Sequence, residues 1–508
     1  MIDRRFFLST LAAFAGSQAV GLTRKARGAD PFGQSLLEAA QRLAASDYRP
    51  PNRELPAPFA GLTYDAFRGI RPRAGEAAYL PQGKNFAVDL LPPGLYFPDP
   101  VAIERVADGE LETVEFSPSV FDFEPRYFDD IPHEAPGTGF TGLRVRYPIN
   151  APDRLDEVAV FQGGSYFRAI GRDMVYGLSA RAVALGTGGP DPEEFPRFLR
   201  FRIHEGDVGS IRLEAVIDSP SLTGYMEAII TPGDDSLMDV SVTLFPRRII
   251  ETVGIAPLTS MFLKGPMHAA VSDDFRPRVH DTDVLMVENG AGETVWRPIS
   301  NPSRVETSAF VDRSPRHFGL YQTPRAYQDF EDTEANYHRR PSVAVTPKSD
   351  WGDGAVLLVE IPTEDEFLDN IVAFWRPEAP LEAGRSYSFD YTLRWTTAPP
   401  PQAQPVSILQ SRSGEEHDQP GVRRFVVDFA APPEGLALDV SAQGTTPDAI
   451  FGESLFALPG GQGSRATFLL DPSDARIVEV RLVLRNEAGQ AVSPVWLHRW
   501  TPKRDGGV

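Results

Sequence analysis

Two acidic segments hold the residues best placed to do chemistry. In EDEFLDNIVAFW, Asp369 falls in the alternating series Phe367, Asp369, Ile371, Ala373, Trp375, so an extended strand would set its carboxyl among apolar and aromatic neighbours. Desolvation in such surroundings favours the protonated form, which a general acid requires. The competing reading is that Asp369 only starts a strand and caps a turn with Asn370. In RVHDTD, an extended chain puts Asp281 and Asp283 on one side and His280 and Thr282 on the other. That pair could supply a base or line a solvated loop.

Other chemistries find little support. Cysteine is absent, which removes disulfides, thiolate nucleophiles and thiolate metal sites. The 8 histidines are scattered without HxH or HExxH spacing, so no metal site is expected. There is no GxSxG, P-loop or dinucleotide fingerprint, and GTGGP at 186–190 reads as a hairpin loop, so no cofactor is expected. Carboxylates remain, and they suit sugars. Glycosidic cleavage needs one carboxylic acid for the leaving oxygen and a second group to activate water or attack. Trp296, Tyr327, Tyr337, Trp351 and Trp375 crowd into the region between and around these segments. Aromatic faces stack on pyranose rings, although each of the five could equally be core.

The elements that must position these groups are strands. Ile211, Leu213, Ala215 and Ile217 share a face in SIRLEAVID, and Met238, Val240, Val242 and Leu244 do so in LMDVSVTLF. Similar segments recur between loops built from 47 prolines and 43 glycines, which predicts an all-β chain with a large antiparallel β-sandwich. One amphipathic helix is expected over 33–46, from Leu36, Leu37, Ala40, Leu43 and Ala44. The uncharged, proline-rich stretch TTAPPPQAQP reads as a stiff linker, with about seven short strands after it at the spacing of an immunoglobulin-like sandwich. The expected organisation is an export signal at 1–29, a large β-sandwich at 30–396, a linker at 397–405 and the smaller sandwich at 406–508.

The N-terminal segment MIDRRFFLSTLAAFAGSQAVGL pairs Arg4 and Arg5 ahead of an apolar run, with Arg24, Lys25 and Arg27 behind it. It has the form of a twin-arginine export signal, and the apolar run is shorter than the ~20 residues of a spanning helix. No membrane insertion is expected after its removal. The formal net charge is −20 and the signal is basic, so the mature chain is more acidic still. That balance argues against nucleic acid and anionic lipid as partners and leaves a neutral polysaccharide indifferent.

Six segments together resemble the periplasmic glucan biosynthesis proteins of the G and D type. They are FQGGSYFRA at 161–169, YGLSARA at 176–182, GIAPLTSMF at 254–262, VHDTD at 279–283, RRPS at 339–342 and PTEDEFLDNIVAFWRP at 362–377. The resemblance implies a galactose-mutarotase-like β-sandwich followed by an immunoglobulin-like domain, a periplasmic location and β-1,2-linked glucan as partner. D-type members are similar to inverting endo-β-1,2-glucanases, which implies Asp369 as general acid and Asp281 as general base, acting through a hydrogen-bonded relay. Tyr337, before the RRPS stretch, is then a candidate for that relay or for substrate contact, and Arg340, Trp351 and Trp375 are candidates for substrate contact.

The sequence also departs from the D-type pattern. RPSVAVTP places Val343 and Ala344 where an aromatic often follows RPS, and EANYHRRPS, with Asn336, looks closer to the G type. Hydrolysis, glycosyl transfer and non-catalytic glucan binding therefore all stand as readings, and association with further copies of the chain is left open.

Overall fold

A computed structural model describes residues 31–76, 78–268 and 273–502. The expected export signal lies outside the described residues. The helix Pro31–Ala44 opens on proline, whose fixed backbone suits a first turn. It packs Leu36 and Ala40 onto Val216 and Phe245, and Thr223 donates to the carbonyl of Ala40 at 2.7 Å. The helix thus covers the outer face of the strands that the alternation marks, which is why Val216 is buried although it faces away from Ile217.

Among the described residues two large, mainly antiparallel sheets, of 11 and 14 strands, pack face to face. Leu143, Val145, Phe161 and Phe167 of the first meet Phe198, Phe201, Leu213, Met238 and Val240 of the second in one apolar core. Strand Ile371–Pro377 of the 11-stranded sheet is buried on both faces. Ile371, Ala373 and Trp375 enter the main core, while Val372 and Phe374 join a smaller cluster with Ala355, Leu357 and Val359.

After residue 405 the strands Ile408–Glu415, Arg423–Phe429, Ser464–Leu470 and Ile450–Ala457 form a four-stranded sheet in that spatial order. Leu436–Gln443, Val478–Asn486 and Val495–Trp500 lie opposite, in the order 436, 478, 495. This is the ABED and CFG arrangement of an immunoglobulin constant-type sandwich. Its second sheet does not stop at the boundary the proline-rich stretch marks. Val495 and Trp496 pair in parallel with Val295 and Trp296, making these strands part of the 14-stranded sheet. Met286, Trp296 and Tyr321 accordingly share a core with Phe425, Phe468 and Trp496. The extended stretch 397–405 runs alongside, tied by Gln402, which accepts from the Ile408 amide at 2.7 Å.

Candidate active site

The face of the 11-stranded sheet turned away from the core is polar. Across neighbouring strands, Asp89 stands opposite Arg144, Arg144 opposite Val160, and Val160 opposite Arg168. Arg168 then donates to Ser179 at 2.6 Å, and Ser179 stands opposite Thr259. Strand alternation forces this: Phe167 enters the core, so Tyr166 and Arg168 must leave it. A hollow of about 630 Å³ lies over this face, its walls including Asp89, Arg144, Glu157 and Gln162.

Asp369 stands at the end of the loop that joins Asp353–Glu360 to Ile371–Pro377. The loop is pinned at its base. Buried Asn370 accepts from the Phe262 amide at 2.8 Å and donates to the carbonyls of Phe262 and Ile361. Asn301 holds Thr363 through both backbone groups, at 2.8 and 3.0 Å. Asp369 is thereby fixed in position while 31% of its side-chain surface stays open, with Arg168 at 3.7 Å. Burial pushes its carboxyl up to about 6; Arg168 opposes the shift and the charge of Asp281 adds to it.

Asp281 follows the short strand Val279–His280, and its amide donates to the carbonyl of Met261 at 2.9 Å. It is buried and accepts from Arg340 Nη1 at 2.5 Å. Desolvation raises its carboxyl above the usual range, and the Arg340 guanidinium works against that rise. Arg340 in turn lies over the ring of Tyr337 at 4.3 Å and donates to the carbonyl of Ala335 at 3.2 Å. A side chain at Gly177 would press a Cβ to 2.8 Å from the Cβ of Arg340, so the glycine in YGLSARA keeps room for this arginine.

Tyr337 closes the arrangement by donating to Glu366 at 2.6 Å, and Arg276 donates to both Glu366 and Asp332 at 2.8 Å. Asp274 also receives Arg276 at 2.8 Å and is held down at about 2 by it. A chain of charged bonds thus ties the Asp369 loop to the segment that carries Arg340. The charge of Asp281 reaches Asp369, so the two carboxyls sense each other, one protonatable near neutrality and the other held by a guanidinium, although neither lines the hollow of about 630 Å³.

Residues 33–500 match the family model of periplasmic glucan biosynthesis protein, MdoG. The chain belongs to this family. Glucans biosynthesis protein G of Vibrio cholerae serotype O1 is 39% identical over 476 residues, covering 92% of this chain and 86% of the relative. The protein of the same name from Shewanella sp. strain ANA-3 is 39% identical over 478 residues, with the same coverage. That of Shewanella frigidimarina is 37% identical over 488 residues, covering 94% of this chain and 86% of the relative. The MdoG match runs through both sandwiches, so the family assignment covers the groove and the immunoglobulin-like strands alike.

Against this geometry several expectations need correction. Phe367 and Asp369 lie in the loop, outside the strand, and Phe367 is 90% exposed, so the expected alternation holds only from Ile371 onward. Asp281 and Asp283 do not form a pair on a solvated loop: Asp281 goes to Arg340, and half-buried Asp283 accepts from the Thr323 amide at 2.7 Å. His280 is sealed between Phe262 and Phe330. Trp375 is 0% exposed, and Trp351 packs against it and against Phe389 and Tyr391 in the core. Neither tryptophan has a face free to stack on a sugar. Tyr337 is buried with its hydroxyl on Glu366, and the partly open Arg340 is engaged by Asp281. Sequence reasoning does not single out Tyr166, Arg168, Arg181 or Glu366, although alternation in SYFRA places Tyr166 and Arg168 together.

Proposed function

We propose that this protein works in the periplasm on the β-1,2-linked backbone of glucans, as an inverting endo-glucanase, with Asp369 as general acid and Asp281 as general base. The observation that carries the reading is the position of Asp369. A partly open carboxyl pushed up to about 6 holds a proton where a leaving glycosidic oxygen could receive it. The names of the relatives supply the glucan, and the role of each aspartate follows from its segment.

In this scheme Asp369 protonates the oxygen of the bond that breaks. Asp281 draws a proton from the attacking hydroxyl, and the bond to the anomeric carbon forms from the opposite face, inverting its configuration. Asp281 is only 2% exposed, so it reaches the nucleophile through an intervening hydroxyl or water relay. That seclusion also favours a second reading, glycosyl transfer to a sugar hydroxyl, because a site that withholds water leaves an acceptor sugar as the nucleophile.

Incubation of the mature protein with linear β-1,2-glucan tests both. Shortened chains with inverted anomeric configuration, lost in Asp369→Asn and in Asp281→Asn, support hydrolysis, while longer or rejoined chains support transfer. Unchanged glucan that nevertheless binds would leave only a binding role and overturn the catalytic reading.

A further inference from the structure

A second hollow, of about 250 Å³, is linked to Asp369 through Tyr166. The tyrosine lines the hollow, and the charge of Asp369 acts on its hydroxyl. Its ring lies nearly parallel to that of Phe195, at 6.5 Å and 23°, and the Arg181 guanidinium sits over both. Phe195 is half exposed and Tyr96, on the same hollow, is 88% exposed. These rings offer apolar faces of the kind that sugars stack on.

The charges of the hollow do not cancel. Asp99 receives both arms of Arg53, at 2.8 and 3.0 Å. Arg197 is the remaining cation on the lining, only 9% exposed, and its Nε and Nη1 are buried without a hydrogen-bond partner among the described residues. Asp218, opposite Arg197 in the strand ladder, is engaged by Arg247 at 2.8 Å. A buried guanidinium without a counterion is costly, and a native fold keeps one where a ligand completes it. A neutral sugar would satisfy the donors and leave the charge. A carboxylate or phosphate satisfies both through the planar fork of arginine.

We infer that this hollow is a subsite for a glucose unit bearing an anionic substituent, its acid group on Arg197 and its ring against the Tyr166 and Phe195 shelf. The inference rests on the glucan reading above and extends it to the class of glucan accepted. It fits a chain of net charge −20, because the overall charge discourages polyanions while one local cation admits a single acid group.

The test is calorimetric titration of the Asp369→Asn protein with a β-1,2-linked glucose oligomer carrying one succinyl half-ester, compared with the same oligomer after methylation of that acid. The charged oligomer should bind about tenfold more tightly at low salt, as one charge-assisted arginine contact implies. In Arg197→Gln the charged oligomer should lose its advantage, so that the two bind alike, and Arg197→Lys should keep part of the preference, which separates charge from folding. Equal binding in the protein that retains Arg197, or a preference that survives Arg197→Gln, overturns the inference. Failure of both oligomers to bind would instead contradict the glucan reading itself, and the subsite with it.

Discussion

Asp281 and Asp369 sense each other's charge but keep different company: the first is held by Arg340 at 2.5 Å, while the second has Arg168 at 3.7 Å and keeps part of its surface open. The charge of Asp281 adds to the burial that pushes Asp369 up to about 6. Burial raises both carboxyls, and the guanidinium of Arg340 opposes the rise at Asp281, so the two like groups meet unlike electrostatic surroundings.

The pH dependence follows. As the proposed general acid, Asp369 acts in its protonated form, so the proposal predicts that kcat/KM falls as pH rises through about 6. Arg168 opposes the upward shift, so Arg168→Met moves that limb to higher pH. Because the folded state holds this proton more tightly than the unfolded chain, whose value is 3.8, the contribution to stability is full below 3.8 and is lost as pH rises through about 6. Rate profiles and urea titrations across this range check the two effects.

Arg340→Met removes a charged donor from a buried carboxylate, so Asp281 becomes harder to ionise. Under the proposed mechanism turnover should drop on the order of 100-fold, with KM changed far less, since the arginine acts through the carboxylate of Asp281. Steady-state kinetics on linear glucan separate these parameters. A rise in KM alone would assign Arg340 to direct sugar contact.

Arg276 bridges Asp274, Asp332 and Glu366, and the Asp332 side chain is only 4% exposed. Arg276→Met leaves these carboxylates facing one another and should destabilise the protein by about 2–4 kcal/mol. Equilibrium unfolding in urea measures the loss. An effect below about 0.5 kcal/mol would mean that the network is loose in solution.

Trp375 tests the division between core and groove. Trp375→Ala should destabilise by about 3–5 kcal/mol, whereas Trp375→Phe should leave glucan affinity within about twofold. Affinity lost in the phenylalanine variant would place the tryptophan at the sugar after all.

Fold class is legible because period-two patterning reports burial directly: Ile211, Leu213, Ala215 and Ile217 are all core residues. The immunoglobulin-like strands are legible for the same reason. Their merger with the larger sheet is not, because a parallel pairing such as Trp296 with Trp496 joins segments far apart in sequence and leaves no local signature. At the site, Asp369 and Asp281 can be named from their segments, but strand alternation misplaces the cause at Asp369. Its desolvation comes from a pinned loop and not from strand neighbours such as Phe367. The tryptophans mislead because composition cannot distinguish an aromatic that stacks on a ligand from one that fills a core. Arg197 carries no signal at all, since an unpaired cation is visible only once the partners of every neighbouring acid are known.

The most direct test is a crystal structure of the Asp369→Asn protein with a β-1,2-linked glucose oligomer. The account predicts one glycosidic oxygen within about 3.2 Å of the substituted side chain at position 369, and Asp281 connected by a relay to the opposite face of the same sugar. An oligomer bound away from the polar face of the 11-stranded sheet, or lying across it with no linkage near position 369, would contradict it.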